Sequence, residues 1–449
     1  MDKELSQLPM SESARENFLR LSEKFREGPF RIDDWDAVKS PDEKYLLSHS
    51  TLKTPDREVV QENLARIAVC KLNGGLGTSM GCQMPKSTIV VRENKSFLDL
   101  IVDQLCEVER DFGIMVPLIL MNSFYTHEET KKIIEKYRGR LEVNTFQQNK
   151  FPRLLEDSLQ PLSEEEFSLG AWYPPGHGDF YSCIFELGFL DRLLEVGKEV
   201  LFVSNADNLG AVIDPGILTH ILEKDIPFLI EMTPKTPADV KGGTIYQDGD
   251  KLKLLEIASV PEEYKEEFCS QSKFKVFNTN NIWINLRHLR KKLEAGPLDL
   301  NVIVNRKVVS GKKVIQLETA IGSALECFSG AVGLTVSRDR FMPVKTTNDL
   351  LLVQSDLFVL RKGKLIRNPE RKQKELPKVE LGSGFTKLED YQDRIPFPPC
   401  MLDLDSLKVK GDVRFGKGVL LRGNVQLTAV ERPLVIADRS VLNGRAVKQ

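Results

Sequence analysis

The sequence predicts an α/β protein: a mixed, mostly parallel sheet with helices on both faces, followed by a short β-helix at the carboxyl end. Three observations predict it. Near-continuous apolar runs alternate with amphipathic stretches from about residue 66 to residue 350, the pattern of strands buried on both faces and joined by helical crossovers. A glycine-rich string, LNGGLGTSMGCQMPKS at 72–87, directly follows the first of these runs. Beyond residue 400 the apolar residues recur every six positions, a period that belongs to stacked β rungs.

Taken in order, residues 1–60 are charged and carry helical spacing in ENFLRLSEKF and EVVQENL, an N-terminal helical segment. The main domain spans 61–360. Its strand-like runs are RIAVCKL, VPLILMNS, EVNTFQQ, EVLFVSNADN and PFLIEMTP; its helical ones are SFLDLIVDQLCEV, EETKKIIEKYR and GILTHILEKD. Residues 361–400, rich in lysine, proline and charge, read as a linker. In the tail, 401–449, Leu407, Val413, Val419 and Val425 form one six-step series and Val409, Phe415, Leu421 and Leu427 another. After an interruption at ERP, Val435, Val441 and Val447 are expected to resume the step. A structural or oligomeric role is expected for this β-helix, including a homo-oligomer joined through it.

Composition narrows the function. The 449 residues exceed one typical core, so two or three domains are expected. A formal net charge of −2 argues against nucleic-acid or membrane-surface partners, which need a basic footprint. No apolar run approaches the ~20 residues that span a bilayer, and the N-terminus lacks the apolar core of a signal peptide. The seven scattered cysteines form no CxxC pair; they read as reduced thiols of a cytoplasmic protein without a zinc site.

Several segments invite chemistry, and each also has a plain reading. The loop glycines let the backbone turn and approach a ligand, its N–H groups and the start of the next helix can cradle an anion, and Lys86 adds a mobile positive charge. The string fits neither GxxxxGK[ST] nor GxGxxG, so by spacing alone it could be a tight turn. EVLFVSNADNLGA ends a strand on Asn205 and Asp207; a lone aspartate there can hold Mg²⁺ or merely cap a helix. YPPGHGDFY presents His177 on a proline–glycine turn. In FNTNNIWIN, Asn278 and Asn280 are alternate residues of an extended segment, equally at home in a turn. Glu256 in LLEIASVPEEY could be a solvated strand residue, and Lys345 in FMPVKTTNDL a surface lysine.

Taken together these strings resemble the eukaryotic-type UTP–glucose-1-phosphate uridylyltransferase family, from about residue 60 to the tail. The resemblance implies a Rossmann-like (GT-A-type) nucleotidyltransferase domain with a short C-terminal left-handed β-helix. It implies transfer of UMP from UTP to glucose 1-phosphate, with Mg²⁺ as cofactor. It places Leu72, Asn73, Gly74, Gly75, Lys86, Gln148, Gly176, Asp207 and Lys345 at the nucleotide. Gly74, Gly75, His177, Asn205, Asp207, Gly243, Glu256, Asn278 and Asn280 fall at the sugar phosphate, Asp207 at the metal, and Lys345 with Lys86 at the catalytic step. Gln148 falls in TFQQNKFPR, similar to the family's FNQSxYPR, where its amide would read the uracil edge; Asn149 replaces the serine. Met84 stands where the family usually has glycine, so the loop must adjust if that position requires positive φ.

The implied chemistry suits the chain. A phosphate monoester is largely dianionic at neutral pH, so no general base is required, and catalysis reduces to positioning and charge stabilisation. Five histidines and no Ser–His–Asp pattern agree with that. Relatives acting on N-acetylhexosamine or many sugar phosphates typically carry LAGG-type loops, whereas LNGG and PKS favour glucose; a broader UDP-sugar enzyme is the alternative. A catalytically silent scaffold would be expected to lack Lys86, Asp207 or Lys345, and all three are present.

Overall fold

Every residue of β2 (Ile67–Leu72) up to Lys71 is buried, and the central sheet is laid out around it. In this computed structural model residues 5–28, 32, 34–236 and 242–449 are described. The sheet comprises β1 (Leu46–Ser48), β2, β3 (Leu118–Asn122), β4 (Val143–Gln147), β5 (Val200–Asn205), β6 (Phe228–Pro234), β7 (Val276–Asn285) and β8 (Val332–Thr335), in the order β1-β8-β6-β7-β5-β2-β3-β4. All neighbours are parallel except β7, which runs antiparallel to both β5 and β6. The mixed, mostly parallel sheet is as expected. The strand direction of β7 is not encoded in its apolar period, which is the same in either orientation.

The two faces of the sheet differ. Cys70, Val203, Ile282 and Ile230 belong to one large apolar cluster. On the alternate residues a buried polar row crosses the strands: Lys71 Nζ donates to Ser204 Oγ at 2.7 Å, and Asn281 Nδ2 and Trp283 Nε1 each donate to Glu231 at 2.9 Å. Hydrogen bonding is what makes such burial tolerable. The helical spacing at the N-terminus forms Glu12–Glu27, capped by Ser11, and Arg57–Leu64.

The chain divides into two compact units. The first holds Met1–Gly74, Phe112–Asn205 and Ile213–Arg338, and contains the whole central sheet. The second holds Gly75–Asp111, Ala206–Val212 and Asp339–Gln449. Within it, residues 361–400 include Lys364–Arg367, paired with Phe358–Arg361, the short β9 (Lys378–Glu380) and a helix at Leu388–Arg394.

The second unit ends in β10 (Cys400–Lys410), β11 (Val413–Phe415), β12 (Leu420–Thr428), β13 (Leu434–Ile436), β14 (Val441–Asn443) and β15 (Ala446–Lys448), every pairing parallel. Leu407 lies opposite Val425, Val413 opposite Leu434 and Leu421 opposite Leu442. All eight residues of the two first six-step series are buried. The third series needs correction: Val435 and Val441 are 65% and 55% exposed, while Leu434, Ile436 and Leu442 are buried in their place. The irregular stretch between β12 and β13 breaks the phase, and in a strand a one-residue shift exchanges the faces.

Candidate active site

The glycine string divides between the units. In the first, β2 delivers Leu72, half-buried and paired in register with Asn205 at the end of β5. Asn73 is held on every side: its N donates to Met121 O at 2.7 Å, its Nδ2 to Asn122 Oδ1 and Thr130 Oγ1, and its carbonyl accepts from Thr126 Oγ1. The carbonyl of Gly74 accepts from Ser123 Oγ at 2.7 Å, and a Cβ on Gly74 would stand 2.7 Å from Gln148 Nε2. Glycine is therefore required here for close approach, since the amide of Gln148 occupies the space of a side chain.

The second unit receives the string from Gly75, whose carbonyl accepts Lys86 N at 3.0 Å. Gly77 and Gly81 bracket a 3-10 turn at Thr78–Met80 with φ of 53° and 69°, the conformation that favours glycine. The expected helix start does not follow directly. Lys86–Thr88 is another 3-10 turn, a strand pair follows, and the helix begins only at Phe97. Pro85 and the β-branched run Thr88–Val91 favour turn and extended backbone over helix. Met84 is exposed and is not among the residues with positive φ, so its side chain strains nothing.

Asp207 gathers the lysines. It is 7% exposed; its Oδ2 accepts from Lys86 Nζ at 2.6 Å and from Lys345 Nζ at 3.1 Å, while its Oδ1 is buried and has no partner among the described residues. Burial pushes its pKa up, but the charges of Lys345 and Lys86 outweigh that and hold it below the ordinary carboxylate value. Asn208 locks the segment: its Oδ1 accepts Met342 N at 2.9 Å and its Nδ2 donates to Arg340 O at 3.1 Å. Asp349 fixes the backbone of Lys345, accepting from the amides of Lys345 and Thr346 at 2.9 and 2.8 Å as the capping box of helix Thr347–Gln354. Sequence reading missed Asp349, although T-x-x-D before an apolar run is visible.

A single buried carboxylate oxygen with no partner, beside another that carries two ammonium groups, fits a hard cation that keeps most of its waters. Among the described residues no group of three or more His, Cys, Asp or Glu side chains is placed to hold a metal.

The remaining candidates lie in the first unit, and several are linked through intervening residues. Gln148 is 7% exposed, anchored by its N to Asn122 O at 2.8 Å, with Oε1 buried and without a partner among the described residues. Its neighbour Asn149 is bonded to Asp179 of the PPGHGD loop. In that loop Gly176 has φ 84°, and a Cβ there would meet Thr319 O at 2.6 Å. His177 Nδ1 accepts Ile321 N at 2.8 Å, leaving the proton of the neutral ring on Nε2. A Cβ on the adjoining Gly322 would lie 3.3 Å from Asn278 Nδ2.

Asn278 N in turn donates to Gly243 O at 2.7 Å, and Gly243 packs against the carboxyl of Glu256. Of the VKGGT segment, Val240 and Lys241 lie outside the described residues. Burial pushes Glu256 up to about 7. The side chains of Asn278 and Asn280 meet at 2.9 Å, with Asn280 at φ 58° beside a register shift in the β6–β7 pairing. The pair is thus a local kink rather than plain alternation.

The backbone of Thr319–Gly322 is what sequence reading missed. ETAIGSALE offers no reactive side chain, and its role here comes from amides and close packing.

Known proteins match nearly the whole chain. The profile of the UTP–glucose-1-phosphate uridylyltransferase family matches residues 16–422. The UTP–glucose-1-phosphate uridylyltransferase of Musa acuminata is 45% identical over 449 residues, covering 99% of this chain and 96% of that protein. UTP–glucose-1-phosphate uridylyltransferase 2 of Dictyostelium discoideum is 46% identical, covering 95% and 87%. Among solved structures, a UDP-glucose phosphorylase from Trypanosoma brucei superposes with a TM-score of 0.87 at 34% identity, covering 100% and 98%. A mutant UDP-glucose pyrophosphorylase from Leishmania major in complex with UDP-glucose gives 0.88 at 32%, with the same coverage.

Proposed function

We infer the reaction from one premise: the chain belongs to the UTP–glucose-1-phosphate uridylyltransferase family. It transfers UMP from UTP to glucose 1-phosphate, giving UDP-glucose and pyrophosphate, reversibly. The observation that carries the mechanism is Asp207, with Lys86 and Lys345 on one oxygen and nothing on the other.

We propose that the phosphate of glucose 1-phosphate attacks the α-phosphorus of UTP in line. Lys86 and Lys345 leave Asp207 for phosphate oxygens, so the negative charge that spreads in the transition state meets cations already held nearby. Asp207 would hold Mg²⁺ through Oδ1, and the metal would neutralise triphosphate charge. Gly75 belongs to the same phosphate-facing loop.

In the first unit, Leu72, Asn73 and Gly74 carry the nucleotide, and Gln148 reads the uracil edge, because an amide donates and accepts at once. Gly176 contacts the nucleotide and His177 Nε2–H donates to the sugar phosphate. Asn205, Gly243, Glu256, Asn278 and Asn280 receive the sugar. We further propose a catalytic domain at 61–360, a linker at 361–400 and a left-handed β-helix at 401–449, supported by parallel pairings between strands about twenty residues apart. That tail would join copies of the chain. A cytoplasmic location accords with seven cysteines outside any disulfide.

Pyrophosphate release with UTP, Mg²⁺ and glucose 1-phosphate tests this, run beside ATP and beside galactose and N-acetylglucosamine 1-phosphates. Release confined to UTP with glucose 1-phosphate supports the assignment; equal release with the other sugars moves the chain to a broader UDP-sugar activity.

A further inference from the structure

Asp179 is a buried carboxylate that the proposed chemistry does not use. It is 2% exposed, and a single residue occupies both of its oxygens: Asn149 N donates to Oδ2 at 2.7 Å and Asn149 Nδ2 to Oδ1 at 3.0 Å. Cys183 Sγ, one turn along the helix Phe180–Glu186, donates to Oδ2 at 3.2 Å. The groups bonded to this carboxylate are neutral amide and thiol donors, and burial raises its pKa. Enclosing a carboxylate on neutral donors alone is unfavourable compared with an apolar replacement. A cluster of this kind is explained by the geometry it imposes.

That geometry concerns the peptide between Gln148 and Asn149. Asn122 O holds its start by accepting Gln148 N, and Asp179 holds its end by accepting Asn149 N. Between these anchors the Gln148 amide lies against Gly74 with Oε1 buried and unpartnered. Asp179 also belongs to the loop of Gly176 and His177, so one carboxylate joins the base-facing segment to the sugar-phosphate segment. Asparagine at 149 suits the clamp, since its Nδ2 adds a second donor, on Oδ1, to the backbone N–H on Oδ2.

We propose that Asp179 is a positioning residue for nucleobase selection, setting the Gln148 amide at the height and orientation at which it distinguishes uracil from cytosine. This rests on the reading of Gln148 as the uracil-facing amide. Asp179 acts through Asn149 and touches no substrate.

The test compares Asp179→Asn, Asp179→Ser, Asn149→Ser and Gln148→Ala with the wild type, measuring kcat and KM for UTP and CTP on folded protein. Asp179→Asn places an amide NH₂ against the donors of Asn149. Loss of one charge-assisted bond corresponds to about tenfold. The UTP KM should rise, and the UTP-over-CTP preference fall, by that factor, with kcat for UTP kept within about twofold. Exchange of the pair, Asp179→Asn with Asn149→Asp, restores donor to acceptor and should recover most of the preference. A purely structural role would lower the melting temperature and leave KM and preference unchanged, and that result overturns the proposal. If Asp179→Asn does not fold, Asp179→Ser decides: its one hydroxyl cannot serve both donors of Asn149, and an unchanged preference overturns the proposal. Asn149→Ser, which keeps the backbone bond, should lose less of the preference than either Asp179 variant, and a larger loss there overturns the assignment to Asp179. Gln148→Ala separates the two levels. Preference retained in Gln148→Ala overturns the underlying reading, whereas preference lost there but retained in Asp179→Asn overturns the Asp179 assignment alone.

Discussion

The candidate residues of the two units differ in chemical kind. The second concentrates charge: one buried carboxylate, two ammonium groups on the same oxygen, and a glycine turn leading into Lys86. In the first, neutral amides and backbone dominate, from Gly74 and Gln148 through the PPGHGD loop to Asn278, with Asp179 and Glu256 as the carboxyls among them. Spreading phosphate charge needs cations, whereas telling one base or sugar from another needs donors and acceptors at fixed positions. The difference teaches that rate and selectivity should separate on mutation.

The largest effect is expected at Asp207. Asp207→Ala should lower turnover by about 10³-fold or more and remove the Mg²⁺ dependence of what remains, as it takes away both the metal's proposed oxygen and the anchor of two lysines. An unchanged Mg²⁺ titration would place the metal ligand elsewhere and weaken the contrast between the units.

Gly74→Ala sharpens the comparison from the other side. The added methyl displaces the Gln148 amide, so the UTP KM should rise by about tenfold, the scale of a misplaced hydrogen bond, with a smaller change in kcat at saturation. A fall in kcat alone would show that Gly74 serves the phosphates and not the base.

A milder effect distinguishes Glu256. Burial raises its carboxyl from 4.5 to about 7, so the folded state binds the extra proton. The associated stability is fully present below about 4.5 and lost as pH rises through about 7. Glu256→Gln cannot ionise. Its melting temperature should therefore fall less than that of the wild type between pH 5 and pH 8, and parallel curves would contradict the assigned shift. The smallest effect belongs to Met84→Gly: with the side chain exposed and φ not positive, stability and kcat should change little, within the ordinary range of surface substitutions.

These contrasts follow what was legible in the sequence. The apolar runs of β2, β3, β5 and β6 could be read because strands buried on both faces leave continuous hydrophobic segments. Lys86, Asp207 and Lys345 stood out because PKS, NADNLGA and PVKTT resemble family strings; by residue type alone Asp207 could cap a helix and Lys345 lie on the surface. The antiparallel direction of β7 was illegible, as periodicity carries no direction. Thr319–Gly322 was missed because it acts through backbone amides, and the phase of Val435 and Val441 because a loop of unread length resets a two-residue alternation. Asp179 lay inside a string already noticed for its histidine, and only its pairing with Asn149, thirty positions away, reveals its part.

The most direct test of the division between charge and selection is Lys345→Ala, assayed with UTP and with CTP. The Lys345 side chain is 59% exposed, so the fold should tolerate its loss. The account predicts that kcat falls by about 10² to 10³-fold while the UTP-over-CTP preference stays as in the wild type. Near-normal kcat with a collapsed preference would contradict it.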